Sequence, residues 1–162
     1  KCSMSRTLVV TMQTAFARSM ALTRQFIEVC PDDIWVKKFG GWPVWQQVYH
    51  SLAVLDLFAL DKDQPPTQSM FSNEIFLLSE CGTSPASKKQ MLELADTMEK
   101  LCNRFIDSLD DSMLVHEQRG LSAKLGATMN MAMALGMMNS HTMYHLGCCD
   151  AALREHGHKG VF

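Results

Sequence analysis

From Ala127 to Cys149 the chain runs through Met, Ala, Leu and Cys, interrupted by Thr128, Asn130, Asn139, Ser140, His141 and His145. A stretch this long and apolar, with polar groups at its centre, reads as a helix buried in a bundle and not as a membrane span. His141 and His145 stand four residues apart, so on that helix two imidazoles project from one face, one turn above the other. This is the spacing with which a helix offers two nitrogens to one metal ion.

Three further helical patterns accompany it. The first runs from about Ser5 to Cys30, with Leu8, Met12, Phe16, Met20 and Phe26 at helical spacing, and Pro31 ends it. The second runs from about Pro43, suited to a first turn, to Leu60 before the loop Asp61–Pro66. A short helix is predicted over Ser72 to Ser79. The third long helix is predicted to begin at Ser84-Pro85 and to carry the stripe Met91, Leu94, Met98, Cys102, Phe105 and Leu109. Asp110 to Lys124 reads as a polar turn, and the fourth helix spans about Gly126 to His156, with Gly157 as its C-terminal cap. No alternating strand pattern, repeat or low-complexity tract is present. The expectation is an all-α single domain over residues 1–162, a four-helix bundle with a long crossover between helices two and three.

Composition narrows the function classes. Fifteen Lys and Arg against seventeen Asp and Glu give a net charge of -2, with no basic cluster, so neither nucleic acid nor an anionic membrane surface is an expected partner. Lys1 to Val10 show no basic-then-apolar leader, and the six cysteines form no CxxC. The expected setting is therefore reduced and cytoplasmic.

The stripe that holds the histidine pair continues through Ala134, Met138, Cys148 and Ala152, so both rings point inward. Buried imidazoles need partners for their polar nitrogens, and two on adjacent turns double that demand. A shared cation meets it; backbone or water partners are the alternative. His50, on the helix-two stripe with Gln46, Gln47, Ala53, Val54 and Leu57, is the natural third ligand. Three His from two helices leave a coordination position open, as catalytic sites do. Imidazole suits zinc, nickel, copper or iron. Cys148 is open to two readings, a fourth ligand or a small buried hydrophobe. Met129, Met131, Met133, Met137 and Met138 wrap around the helix, as core filling does, and do not form the single stripe of a copper or haem site. His116, His156 and His158 lie in polar, exposed segments.

A histidine after a Trp-Pro entry (Trp42-Pro43 to His50), followed by His-x3-His-x-Gly at His141 to Gly147, resembles the DinB-like superfamily, which includes bacillithiol and mycothiol S-transferase-like enzymes. The resemblance implies an up-down-down-up bundle, metal ligation by His50, His141 and His145, zinc or nickel as the metal, a low-molecular-weight thiol, and a homodimer. Many members carry Gln after the Gly; this chain has Cys148-Cys149. Trp35, Phe39 and Phe71 are expected to be exposed aromatics that could seed a dimer interface. Two functional readings follow. One is an enzyme that activates a thiol or water at the three-His site for S-transfer to, or hydrolysis of, a small electrophile. The other is a metal-binding structural or interaction module without turnover.

Overall fold

The computed structural model describes residues 4–162. Helix α1 (Thr7–Val29) buries Val9, Phe16, Met20, Phe26 and Ile27, and the polar Ser19 and Thr23 on the same face turn their hydroxyls back onto the helix's own carbonyls. Each large apolar side chain taken out of water there contributes about 1.5–3 kcal/mol. The short helix α2 (Asp32–Trp35) follows Pro31. Two antiparallel two-residue strands, β1 (Lys38–Phe39) and β2 (Trp42–Pro43), then turn the chain at Gly40 and Gly41. Both glycines have positive φ, 63° and 95°, the requirement of a type I′ hairpin turn.

The predicted second helix is two segments, α3 (Val44–Ala53) and α4 (Leu55–Ala59). At the junction the Leu57 N–H reaches back only three residues, to the Val54 carbonyl, which tightens the turn. The crossover carries α5 (Asn73–Phe76), capped by the Ser72 hydroxyl. Helix α6 spans Lys88–Asp107. It begins later than the Ser84-Pro85 signal predicts, because Ser87 and Gln90 form a reciprocal capping box that satisfies two backbone donors at once.

The segment read as a polar turn is more ordered than expected. It holds a 3-10 turn (Asp111–Val115) and helix α7 (Arg119–Leu125), capped by the side chains of Asp110 and Gln118. Gly126, expected to open the last helix, instead ends α7 in the left-handed region at φ 65°. Helix α8 runs Met131–Glu155 from an Asn130 cap. Its end is as expected: Gly157 N–H bonds Arg154 O and His158 N–H bonds Leu153 O, a Schellman pair.

The bundle is up-down-down-up. Helix α1 packs on α6 and α8, and α3 and α4 pack on those same two helices, so α1 lies diagonally across from α3–α4. Against α6, α1 is antiparallel: Arg6 meets Leu109 O, Gln13 meets Asn103 and Arg24 meets Asp96. The two ends cap each other. Arg6 donates to the Ile106 and Leu109 carbonyls at the α6 C-terminus. Asp111 in turn accepts the Leu8 and Val9 N–H groups at the α1 N-terminus, where no side chain of Arg6 could. Helix α3 is antiparallel to α8, with Val44 beside Cys149 and His50 beside His141.

Trp35 corrects one expectation. It is only 4% exposed, packed in the core with its indole N–H donating to Ala86 O at 2.8 Å. Phe71 is half-buried and stacks on Trp45 and Tyr49, and Phe39 is half-buried as well. Among the described residues no helix is long and apolar enough to cross a membrane.

The described cysteines are all free thiols. Burial pushes the Cys30 thiol up to about 11 and Cys102 up to about 12, and raises Cys149 further. Iodoacetamide at mildly alkaline pH is therefore expected to alkylate Cys81 and Cys148, both half-buried, well before these three. Peptide mass mapping reads the order, and early labelling of Cys102 would contradict the packing described.

Candidate metal centre

Helix α3 presents His50 toward α8, and α8 presents His141 and His145 from successive turns. The three ring centroids lie 5.1, 4.7 and 4.6 Å apart, in the pairs His50–His141, His50–His145 and His141–His145. One donor atom from each lies within 4.8 Å of the other two, and the rings are half-buried or buried. The spacing of the two His on α8 is local geometry. The third arrives because α3 and α8 cross antiparallel at this height.

His50 shows how the site is oriented. Its Nδ1 lies 2.6 Å from the Phe76 carbonyl, which can only accept, so Nδ1 carries the proton and Nε2 presents a lone pair. That Nε2 is 3.3 Å from His141 Nε2. Two imidazole nitrogens each about 2.0–2.1 Å from a tetrahedral zinc stand about 3.3 Å apart, so the separation is that of a coordination edge. The carbonyl on the far nitrogen is the usual outer partner of a metal-bound His.

The other two rings are not satisfied as core histidines. His141 Nδ1 and His145 Nδ1 are buried with no hydrogen-bond partner among the described residues, a state that costs about 1–3 kcal/mol per group. Among the described residues no carboxylate joins the cluster. Desolvation, reinforced by the neighbouring imidazoles, lowers His141 to about 4 and His145 to about 3; His50 is also lowered by burial. All three rings are therefore neutral near pH 7, the form in which imidazole binds a metal. The donor set fits a divalent ion.

A family model described as the DinB superfamily matches residues 15–149. The chain belongs to the DinB superfamily. The matched stretch contains His50, His141 and His145, and the helical bundle agrees with the helical character of this superfamily. No curated protein and no solved structure matches the chain.

Around the cluster, Phe58 and Phe76 pack their rings against His141 and His50, and Tyr144 stands edge-on to His145 with 67% of its surface exposed. Cys148 is half-buried and is not among the donors that converge; Cys149 is the fully buried one, its thiol directed at Val44 O. His116, His156 and His158 are exposed and away from the cluster, as expected. Phe76 is the residue that sequence reasoning missed. Its contribution is a backbone carbonyl, so residue type carries no trace of it; the hint was the short helix, which ends at Phe76, two residues before Leu78, a non-glycine residue held at φ 57°.

Proposed function

We propose that this DinB-superfamily protein binds one divalent metal, zinc or nickel, through His50, His141 and His145, and uses it to pass a small nucleophile to a small electrophile. The nucleophile is a low-molecular-weight thiol in S-transfer, or water in hydrolysis. The observation that carries the reading is the 3.3 Å approach of the lone-pair-bearing His50 Nε2 to His141 Nε2, beside a third neutral imidazole with an unpartnered nitrogen. A divalent ion held there supplies Lewis acidity and lowers the pKa of a thiol or water that it binds.

The chain's own residues would then divide the work. The three His hold and orient, and as ligands they are not free to exchange protons. The Phe76 carbonyl fixes His50 in the Nδ1–H tautomer. Phe58, Phe76 and Tyr144 wall the cluster with aromatic rings, which suits an apolar electrophile and offers no charge to a hydrophilic one. No protein base is required, because a thiol of lowered pKa loses its proton to solvent. Tyr49 is engaged with Ser69 and Asp56 with Thr67, both away from the cluster.

That scarcity of polar groups favours a second reading, a metal-binding module in which the ion ties α3 to α8 without turnover. Conjugation of monobromobimane or chlorodinitrobenzene with a panel of small thiols, with and without zinc or nickel, separates the two. Metal-dependent conjugation that disappears in His141→Ala is expected. Turnover unchanged in that variant defeats the mechanism, and no turnover with any thiol or ester selects the module.

The same reading takes the chain as one domain working as a cytoplasmic homodimer on a small molecule. The outward face of α8, with Met133, Ser140, Tyr144 and Gly147 exposed and no charge between Met131 and Cys149, supports the dimer. A monomer in sedimentation at high concentration contradicts it.

A further inference from the structure

A cavity of about 380 Å³ lies beneath the crossover, between α3–α4 and α6, and none of the three histidines lines it. Leu57, Leu94 and Met98 give it an apolar floor, and the rings of Tyr49, Phe71 and Phe76 stand in its wall. Into this lining projects one carboxylate. Asp56 is 5% exposed, its Oδ2 accepts the Thr67 N–H at 2.9 Å, and no Lys, Arg or His of the described residues lies within ion-pair distance of it. A smaller cleft of about 180 Å³ continues from the same residues, sharing Asp56, Leu57, Pro66 and Lys124. Lys124 is exposed at this junction and makes no ion pair among the described residues.

A buried carboxylate without a cation is expensive unless something charged or strongly hydrogen-bonding reaches it. Burial accordingly raises the Asp56 carboxyl above the usual carboxylate range, against the opposing pull of the Thr67 hydrogen bonds and the Lys124 charge. An ammonium entering the cavity would give the carboxylate a cation in direct contact through charge-assisted hydrogen bonds. The aromatic wall would add cation–π attraction, and the apolar floor would take a hydrocarbon body.

We propose that this cavity is a second ligand site, one that binds a small apolar monoamine with its ammonium on Asp56 and its hydrocarbon chain against Leu57, Leu94 and Met98. A diamine of the same length would lay its second ammonium against the apolar floor of Leu57, Leu94 and Met98, so it binds less well. An alcohol of that length keeps the apolar contacts and loses the charge.

The test is a titration of the full-length chain with n-hexylamine, 1-hexanol and 1,6-diaminohexane, followed by amide NMR. Saturable shifts at Asp56, Thr67, Leu94 and Met98 are expected with n-hexylamine, with binding at least tenfold weaker for the alcohol and the diamine. Asp56→Asn, nearly isosteric, is expected to abolish the preference for amine over alcohol while leaving zinc content unchanged, so the outcome is independent of the three-His reading. Leu94→Trp, which fills the cavity without touching the carboxylate, should remove binding of all three probes. Absence of saturation with n-hexylamine, equal binding of 1-hexanol, or an amine preference that survives Asp56→Asn would each overturn the proposal. If Asp56→Asn does not fold, Leu94→Trp decides: amine binding that persists in it overturns the site.

Discussion

His141→Ala is expected to reduce bound zinc or nickel from one ion per chain to a trace, with a loss of affinity larger than the 10–100-fold that removal of an outer partner typically causes. His141 touches both other rings, 3.3 Å from His50 through its Nε2 and one turn from His145, so its loss leaves two donors that do not define a site. The effect extends to stability. An ion that binds only the folded chain stabilises it by about 2.7 kcal/mol at a hundred times its Kd. For a chain of this size that is about 5–10 °C in Tm, gained by the wild type on adding metal and absent in the variant. Metal analysis after reconstitution and a thermal melt with and without zinc measure both. Equal zinc content and an equal thermal shift in wild type and His141→Ala would remove the three-His site, and with it both functional readings.

The second large effect is on folding itself. Gly120→Ala is expected to destabilise the chain by about 3 kcal/mol or more, lowering Tm by about 6–12 °C. A Cβ at position 120 would sit 2.1 Å from the Leu60 carbonyl oxygen and 3.1 Å from the Leu60 and Asp61 carbonyl carbons. These are backbone atoms, so no rotamer change relieves the overlap; α7 must move off the end of α4. The same contact is stitched by Gln118, whose side chain donates to Phe58 O and Leu60 O and accepts from Gly120 N–H. Separating the two segments would therefore also unsatisfy buried polar groups. Gly126→Ala is the control: open space surrounds a Cβ there, and only its φ of 65° opposes the change, so a smaller loss is expected. Urea or thermal unfolding of the two variants compares them, and a Gly120→Ala chain as stable as wild type would show that α7 does not pack as described.

What could be read in the chain was whatever depends on neighbours along it. The stripes of α1, α6 and α8 appear at their 3.6-residue period, and the His141–His145 pair shares a face because helical geometry alone puts residues four apart together. Gly157 ends α8 as expected, for only glycine takes its φ of 79° without strain. The head of α6 was misplaced: Ser84-Pro85 marked it in the sequence, whereas the reciprocal bonds between Ser87 and Gln90 start the helix three residues later. The segment over residues 110–124 was misjudged for a related reason. Its polar composition is that of a turn, and its order comes from Gln118 and Gly120 docking on α4.

Tertiary structure decided the rest. Trp35 looked like a surface aromatic because its short segment has no period to reveal a face, and its burial depends on Ala86, fifty-one residues away. His50 joins the pair on α8 ninety-one residues later because the up-down-down-up arrangement crosses α3 with α8 at the right height. Its tautomer is set by the carbonyl of Phe76, a group every residue possesses and no sequence pattern marks. The sequence alone thus determined the helices and the spacing of the His pair, whose interactions close within a turn or two. The meeting of the third histidine with them, and the cavity around Asp56, were decided only by how the helices pack, because those contacts are made between segments far apart in the chain.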